Sequence, residues 1–170
     1  MWAILANRLY VADAAGAALE TSALSTKCGG RPVTAVINVA GSAFDDRHRN
    51  GADGRSQVAY LNARLEDSTD AELPFADVFA FVEEHAVRSP RTFFDPSSPV
   101  AAPEDANSVL LVHCRGAHSR SLAIVAALLV HFGGQPLPDA LRFIKSMRGL
   151  QHINRGFLAQ LATLGPSRPQ

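Results

Sequence analysis

With 170 residues, 47% of them hydrophobic and 19% charged, the chain has the make-up of an ordinary folded domain, which excludes a chain dominated by disorder. Sixteen basic residues cancel sixteen acidic ones, which argues against nucleic acid or an anionic membrane as partner; any preference for anions has to be local. Two cysteines, Cys28 and Cys114, are too few for a disulfide framework, and a reactive thiolate survives best in a reducing compartment, so the expected location is intracellular, in the cytoplasm.

The N-terminal run MWAILANRLYVADAAGAA is apolar and alanine-rich, but it lacks a basic start, and Asn7 and Arg8 interrupt it. A first strand is expected there rather than a leader peptide. No apolar span reaches the ~20 residues of a transmembrane helix, so membrane insertion is not expected. Arg8 to Ala12 reads as a strand, and Ala14 to Thr26 as a helix ended by Cys28-Gly29-Gly30 and Pro32. Val33 to Val39 is rich in β-branched residues and predicts a central strand.

Gly41 to Ser56 is polar and glycine-containing, a surface loop or hairpin, and its Asp45, Asp46 and His48 read as a charged surface rather than as ligands. Gln57 to Leu65 predicts another strand. In the acidic turn Glu66 to Asp70, Thr69 or Asp70 is expected to cap a helix in which Phe75, Val78, Phe79 and Val82 recur at helical spacing. That helix is expected to stop near Arg88. Prolines at 90, 96, 99 and 103 make 89–107 an irregular excursion, with Phe93 and Phe94 placed to pin it to the body.

Val109 to Val112 has the length and apolarity of a buried strand, and it leads through His113-Cys114 into a short loop and then an apolar helix, Leu122 to Phe132. Gly133-Gly134 stops that helix, Pro138 to Arg148 predicts the next, Gly156 to Leu164 a last short one, and the tail GPSRPQ frays. Alternating strands and helices over 1–170 point to a single α/β domain, a sheet flanked by helices.

The loop between strand and helix carries the chemistry. Backbone N–H groups of a tight loop and of a helix's first turn converge on one concavity, and the helix dipole adds positive potential there. A cysteine at its base, Cys114, is set up to act as a thiolate nucleophile. Arg120 closes the loop with a fork of donors that suits two oxygens of a phosphate.

His113-Cys114, five residues, then Arg120-Ser121 resembles the Cys-x5-Arg signature of cysteine-dependent phosphatases, and the spelling HCRGAHSRS is similar to the dual-specificity branch. RLYVADAAGA, VTAVINVA, YLNARLEDSTDAEL and ALRFIKSMRGLQHINRGFLAQL resemble further segments of that family in the right order. The resemblance implies a protein-tyrosine-phosphatase-like fold with a central mixed sheet. It also implies hydrolysis of phosphate monoesters in phosphorylated proteins or peptides, without metal or other cofactor.

By that resemblance Cys114 forms a phosphocysteine, and Arg120 binds the equatorial oxygens. Arg115, Gly116, Ala117, His118 and Ser119 complete the phosphate-binding loop. Asp67 is the general acid, with Asp70 its rival in the same turn. Ser121 helps expel the sulfur, His113 holds the loop and tunes the thiolate, and Asn154 supports the site.

One departure stands out: the family's glycine three residues after the cysteine is Ala117 here, with Gly116 one place earlier. If that position needs a positive φ, alanine is strained there by ~1 kcal/mol or more. The swap motivates a second reading, a pseudophosphatase that binds phosphorylated partners without efficient turnover. Arg115 and His118, as a basic rim, motivate a third, a phosphoinositide phosphatase. Sulfur transfer of the rhodanese kind also uses a cysteine loop at a helix start, but the trailing Arg-Ser and the acidic turn disfavour it. Neither oligomeric state nor the choice among phosphotyrosine, phosphoserine and phosphothreonine is legible in the sequence.

Overall fold

The computed structural model describes residues 1–18, 21–41, 58–149 and 152–166. The expected loop 41–56, with Asp45, Asp46 and His48, lies outside the described residues apart from Gly41, as do Gln57 and the end of the tail.

The N-terminal apolar run is two strands rather than one. Strands β1 (Trp2–Leu5) and β2 (Leu9–Ala12) pair antiparallel, Trp2 opposite Val11. Asn7, at φ 63°, turns the chain between them. The polar residues that break the hydrophobic run are therefore the turn of a hairpin, and asparagine is among the few residues that tolerate the left-handed region.

Strands β3 (Ala35–Asn38), β4 (Ala59–Asn62) and β5 (Leu110–His113) complete a five-stranded sheet of order β1-β2-β5-β3-β4, in which β2, β5, β3 and β4 run parallel. The sheet is mixed, as expected. Its three inner strands are buried along their whole length, which is why their sequences are continuous apolar runs rather than alternating ones. Successive side chains still serve opposite faces. Tyr10, Ala12, Val36 and Leu111 pack on one side with Ala17 and Leu24, from the short helices α1 (Ala14–Ala17) and α2 (Thr21–Lys27). Leu9, Val11, Ile37, Leu110 and Val112 pack on the other, beneath the larger helices.

The single helix expected over 14–26 is thus described as α1 and α2, on either side of residues 19–20, which are not described. Helix α3 (Phe75–Phe81) continues as a π-helical turn (Val82–Ala86). It begins at Pro74 with no side-chain cap; Asp70 instead accepts a bond from Thr69 Oγ1, so the expected capping by Thr69 or Asp70 does not occur. Four more residues of chain, 71–74, separate that turn from the helix.

Helix α4 (Pro90–Phe93) and a 3-10 turn (Pro103–Asp105) punctuate the proline-rich excursion. Phe93 and Phe94 are fully buried, and Phe94 stacks on Phe132 at 5.6 Å. Helix α5 (Arg120–His131) buries every residue from Arg120 to Val130, so it is apolar all round, covered by β5, α3, α6 (Leu137–Arg148) and α7 (Arg155–Leu161). Among the described residues no helix is long and apolar enough to cross a membrane.

Buried Asp105 organises the far side of the excursion: its carboxylate accepts from the backbone N–H groups of Arg88 (2.8 Å) and Ser89 (2.7 Å) and from Ser108. Replacing it strands both amides. Asp105→Ala is expected to lower the unfolding free energy by about 2–4 kcal/mol, measured by urea denaturation; a loss below about 0.5 kcal/mol would show that the amides find other partners.

Candidate active site

Strand β5 is the middle strand of the sheet, and the chain leaves its carboxyl end at His113 to enter the loop 114–119 before α5 starts at Arg120. In open parallel sheets this end of the strands is where ligand crevices form. His113, buried, pairs in register with Ala12 and Asn38, and its carbonyl accepts from Val39 N at 2.9 Å, so the strand end beneath the cysteine is fixed from both sides.

Cys114 Sγ accepts the backbone N–H of Ala117 at 3.2 Å and lies 3.3 Å from Ser121 Oγ. Around it the loop's carbonyls are held by groups outside the loop. Arg115 O accepts from Ala14 N (3.2 Å), Ala117 O from Arg148 Nη2 (3.3 Å) and His118 O from His152 N (3.4 Å). A trans peptide that turns its C=O one way turns the next N–H the other, so these bonds orient the N–H groups of Gly116, His118 and Ser119 away from those partners. Arg148 is itself seated on the Trp2 ring, 3.6 Å from its centroid.

Helix α5 begins at Ser119 with no side-chain cap. The hydroxyl that sequence rules would assign to the helix's first amides bonds Asp67 Oδ1 instead, at 2.7 Å, and accepts from Asn154 N at 3.2 Å. The first turn of a buried twelve-residue helix thus keeps its amides and its positive dipole end for an anion.

Arg120 Nη1 donates to Leu65 O at 3.0 Å, while Nε is buried without a hydrogen-bond partner, 3.8 Å from Asp67 Oδ2. Asp67 is therefore brought to the loop, with its side chain 41% exposed. Asp70 and Glu66 are exposed, and Asp70 bonds its neighbour Thr69 rather than the loop. Arg115 and His118 are exposed on the rim. Asn154 caps α7 by accepting from Gly156 N at 2.8 Å, while its own N–H holds Ser119.

Sequence reasoning missed three groups that position these residues. Arg148 and Trp2 were read only as helix and strand residues, and Gln160 only as part of the last helix. Gln160 bonds the backbone of Ala71 and Leu73, just after the acidic turn. A glutamine facing a loop has no periodicity to announce it.

Cys28 is the counterexample to Cys114. It is fully buried on the opposite face of the sheet, beside Tyr10, and burial pushes its thiol up to about 11, so it stays protonated at neutral pH. Among the described residues no group of three or more His, Cys, Asp or Glu side chains could hold a metal ion. A cavity of about 700 Å³ lies elsewhere, between β4 and α3, lined in part by Tyr60, Phe81, Glu84 and His85, and includes none of the residues around Cys114.

Ala117 occupies the left-handed region, φ 54°, whereas Gly116 beside it does not use a positive φ. The loop keeps its left-handed turn on an alanine, at a cost of about 1–2 kcal/mol. Ala117→Gly relieves that strain but removes a buried methyl worth about 0.8 kcal/mol, so its unfolding free energy is expected within about 1 kcal/mol of the wild type. Ala117→Val, β-branched in a fully buried left-handed position, is expected to lose about 2–4 kcal/mol. Urea unfolding of the two variants checks both; equal stabilities would mean that the position is not left-handed in solution.

No protein-family model matches the chain. Protein-tyrosine-phosphatase MKP1 of Arabidopsis thaliana is 31% identical over 109 residues, 63% of this chain and 12% of that protein. Dual specificity phosphatase 28 of Mus musculus is 41% identical over 61 residues, 36% of this chain and 37% of that protein. The matched stretches span between 12% and 41% of these and the other curated relatives' lengths. Among solved structures, human DUSP28 superposes with a TM-score of 0.65 at 24% identity, covering 95% of this chain and 92% of that one. The human tyrosine phosphatase-like serine/threonine/tyrosine-interacting protein does so at 0.65 and 21%, with the same coverage. These structural likenesses show the fold.

Proposed function

We propose that this chain, part of whose sequence is similar to dual-specificity phosphatases and whose fold is theirs, hydrolyses phosphate monoesters in phosphorylated proteins or peptides through a phosphocysteine. The observation that carries the reading is the convergence on one loop of Cys114, the uncapped start of α5, Arg120 and the Asp67 carboxylate.

In the first step the Cys114 thiolate attacks phosphorus in line with the leaving oxygen. The P–O bond to the substrate breaks, and Asp67 gives its proton to the departing alkoxide or phenoxide. The loop amides and the Arg120 guanidinium, with its buried and unbonded Nε, hold the equatorial oxygens as their charge redistributes. The bond between Arg120 and Leu65 O fixes the guanidinium before substrate arrives, so little reorganisation is needed. In the second step Asp67, now a carboxylate, takes a proton from water as that water attacks phosphorus. The S–P bond breaks, and Ser121 Oγ, 3.3 Å from the sulfur, donates a hydrogen bond to the leaving thiolate. His113 acts through the strand end that it anchors.

Cys114→Ser is expected to reduce turnover of p-nitrophenyl phosphate by at least about 10³-fold while vanadate binding persists; undiminished turnover would overturn the mechanism. Asp67→Asn is expected to cost about 10²-fold in kcat/KM on phenyl phosphate, whose leaving group needs the proton, and to remove the basic limb of that pH–rate profile. Should Asp70→Asn remove that limb instead, the acid is Asp70.

The strained Ala117 favours a second reading, phosphopeptide binding without efficient turnover, because strain in the cradle is where catalytic precision would be lost. Parallel measurement of phosphopeptide affinity and turnover separates the two: tight binding with turnover no better than Cys114→Ser selects the binding module.

A further inference from the structure

We propose that Gln160 is a positioning residue for the general acid, an inference that rests on the reading of Asp67 given above. Residues 71–74, between the acidic turn and α3, form no helix or strand, so their backbone groups need partners from elsewhere. Gln160 supplies two at once: its Oε1 accepts from Leu73 N and its Nε2 donates to Ala71 O, both at 2.8 Å. A side-chain amide bonded by both ends to one short segment behaves as a clamp, because each bond fixes the rotamer that the other requires.

The same helix meets the turn at a second point. A β-carbon at Gly156 would lie 2.0 Å from Thr69 O, so only glycine lets α7 seat directly against the turn's backbone. Thr69, Ala71 and Leu73 are thus held on α7 two to six residues downstream of Asp67. On the upstream side Leu65 O is bonded by Arg120, and Asp67 itself by Ser119.

Asp67 hangs on a span fastened at both ends, and Gln160 is the fastening that does not touch the phosphate loop. An exposed carboxylate keeps a side chain's ordinary freedom unless its backbone is fixed, and a general acid displaced by about 1 Å loses much of its effect. Release of 71–73 therefore reduces proton delivery to the leaving oxygen and leaves nucleophilic attack by Cys114 intact.

That division gives a readout which a loss of stability would not produce. Phenyl phosphate expels a poor leaving group that needs the proton, whereas p-nitrophenyl phosphate expels one that needs it far less. Gln160→Ala is expected to lower kcat/KM, which reports phosphoenzyme formation and not its hydrolysis, on phenyl phosphate by about tenfold and on p-nitrophenyl phosphate by less than about twofold, out of the roughly 10²–10⁴-fold a general acid contributes. In an Asp67→Asn background the same substitution is expected to change neither by more than about twofold, because both act through one proton. Gln160→Glu keeps the shape and the acceptor for Leu73 but loses the donor to Ala71. It is expected to show the same leaving-group selectivity at a smaller amplitude, and it serves if the alanine variant fails to fold.

An equal loss on both substrates, no loss on either, or a loss that persists in the Asp67→Asn background overturns the inference about Gln160. If Asp67→Asn itself leaves the difference between the two substrates unchanged, the acid assignment falls and the role of Gln160 falls with it. The two failures are distinguishable within one set of measurements.

Discussion

The hydroxyl of Ser119 is the point on which the site's separate parts depend. It donates to Asp67 and accepts from Asn154, so one buried oxygen joins the acidic turn after β4, the loop after β5 and the start of α7. These segments lie far apart in sequence, and each is too short to fix its own position. The same bond has a second effect, because a serine spent on Asp67 is not spent on capping. The first amides of α5 are left uncapped by it, a helix start of the kind that suits an anion. Holding Asp67 and leaving the start of α5 uncapped are thus one arrangement.

Loop geometry carries strain, and its support is identifiable. Ala117 takes a left-handed conformation that glycine would take more easily. Its N–H is turned to the Cys114 sulfur, and its carbonyl is held by Arg148, which lies on the Trp2 ring. A conformation that costs about 1–2 kcal/mol persists when its surroundings over-determine it. Here those surroundings are β5, anchored on both sides by β2 and β3, and α5, which is buried all round. The strain sits at the residue that points its N–H at the Cys114 sulfur.

Much of this was legible in the sequence, for reasons that also explain what was not. The run Val109 to Val112 and the helix after it are apolar because they are buried on every side, and a polar loop between two such segments lies at the end of the strand, where the chain leaves the core. Strand, cysteine loop and helix were therefore readable from local pattern. The α/β alternation and the mixed sheet followed from the same signals together with the family resemblance. The N-terminal hairpin was not readable as two strands, because Trp2 to Ala12 is apolar on both sides of Asn7 and a single left-handed asparagine leaves little trace. The expected cap at Thr69 or Asp70 failed because Pro74 starts α3 later, at a position whose fixed φ already suits a helix start. Asp67 could be set above Asp70 by resemblance and by its place just after a strand, although both share one exposed turn. In the structure Asp67, unlike Asp70, is bonded by Ser119, fifty-two residues away. Arg148 and Gln160 escaped notice for the same reason: their partners are backbone carbonyls and amides, which carry no sequence identity.

The proline-rich excursion completes the division of labour between the two ends of the molecule. Arg8 Nη2 donates to Asp95 O and Ser98 O, Phe94 stacks on Phe132, and the backbone of Phe94 lies so close to Gly133 that a β-carbon there would fall 2.4 Å from its carbonyl. All of these contacts gather at the start of β5 and the end of α5. The Cys114 loop lies at the opposite end of both elements, about 18 Å away along a twelve-residue helix that rises 1.5 Å per residue. Phe93, Phe94 and Asp105 therefore anchor 89–107 to the body at a distance from the Cys114 loop. They tighten the two elements whose other ends hold the strained loop, so their contribution to the site passes through the rigidity of β5 and α5 rather than through contact with a ligand.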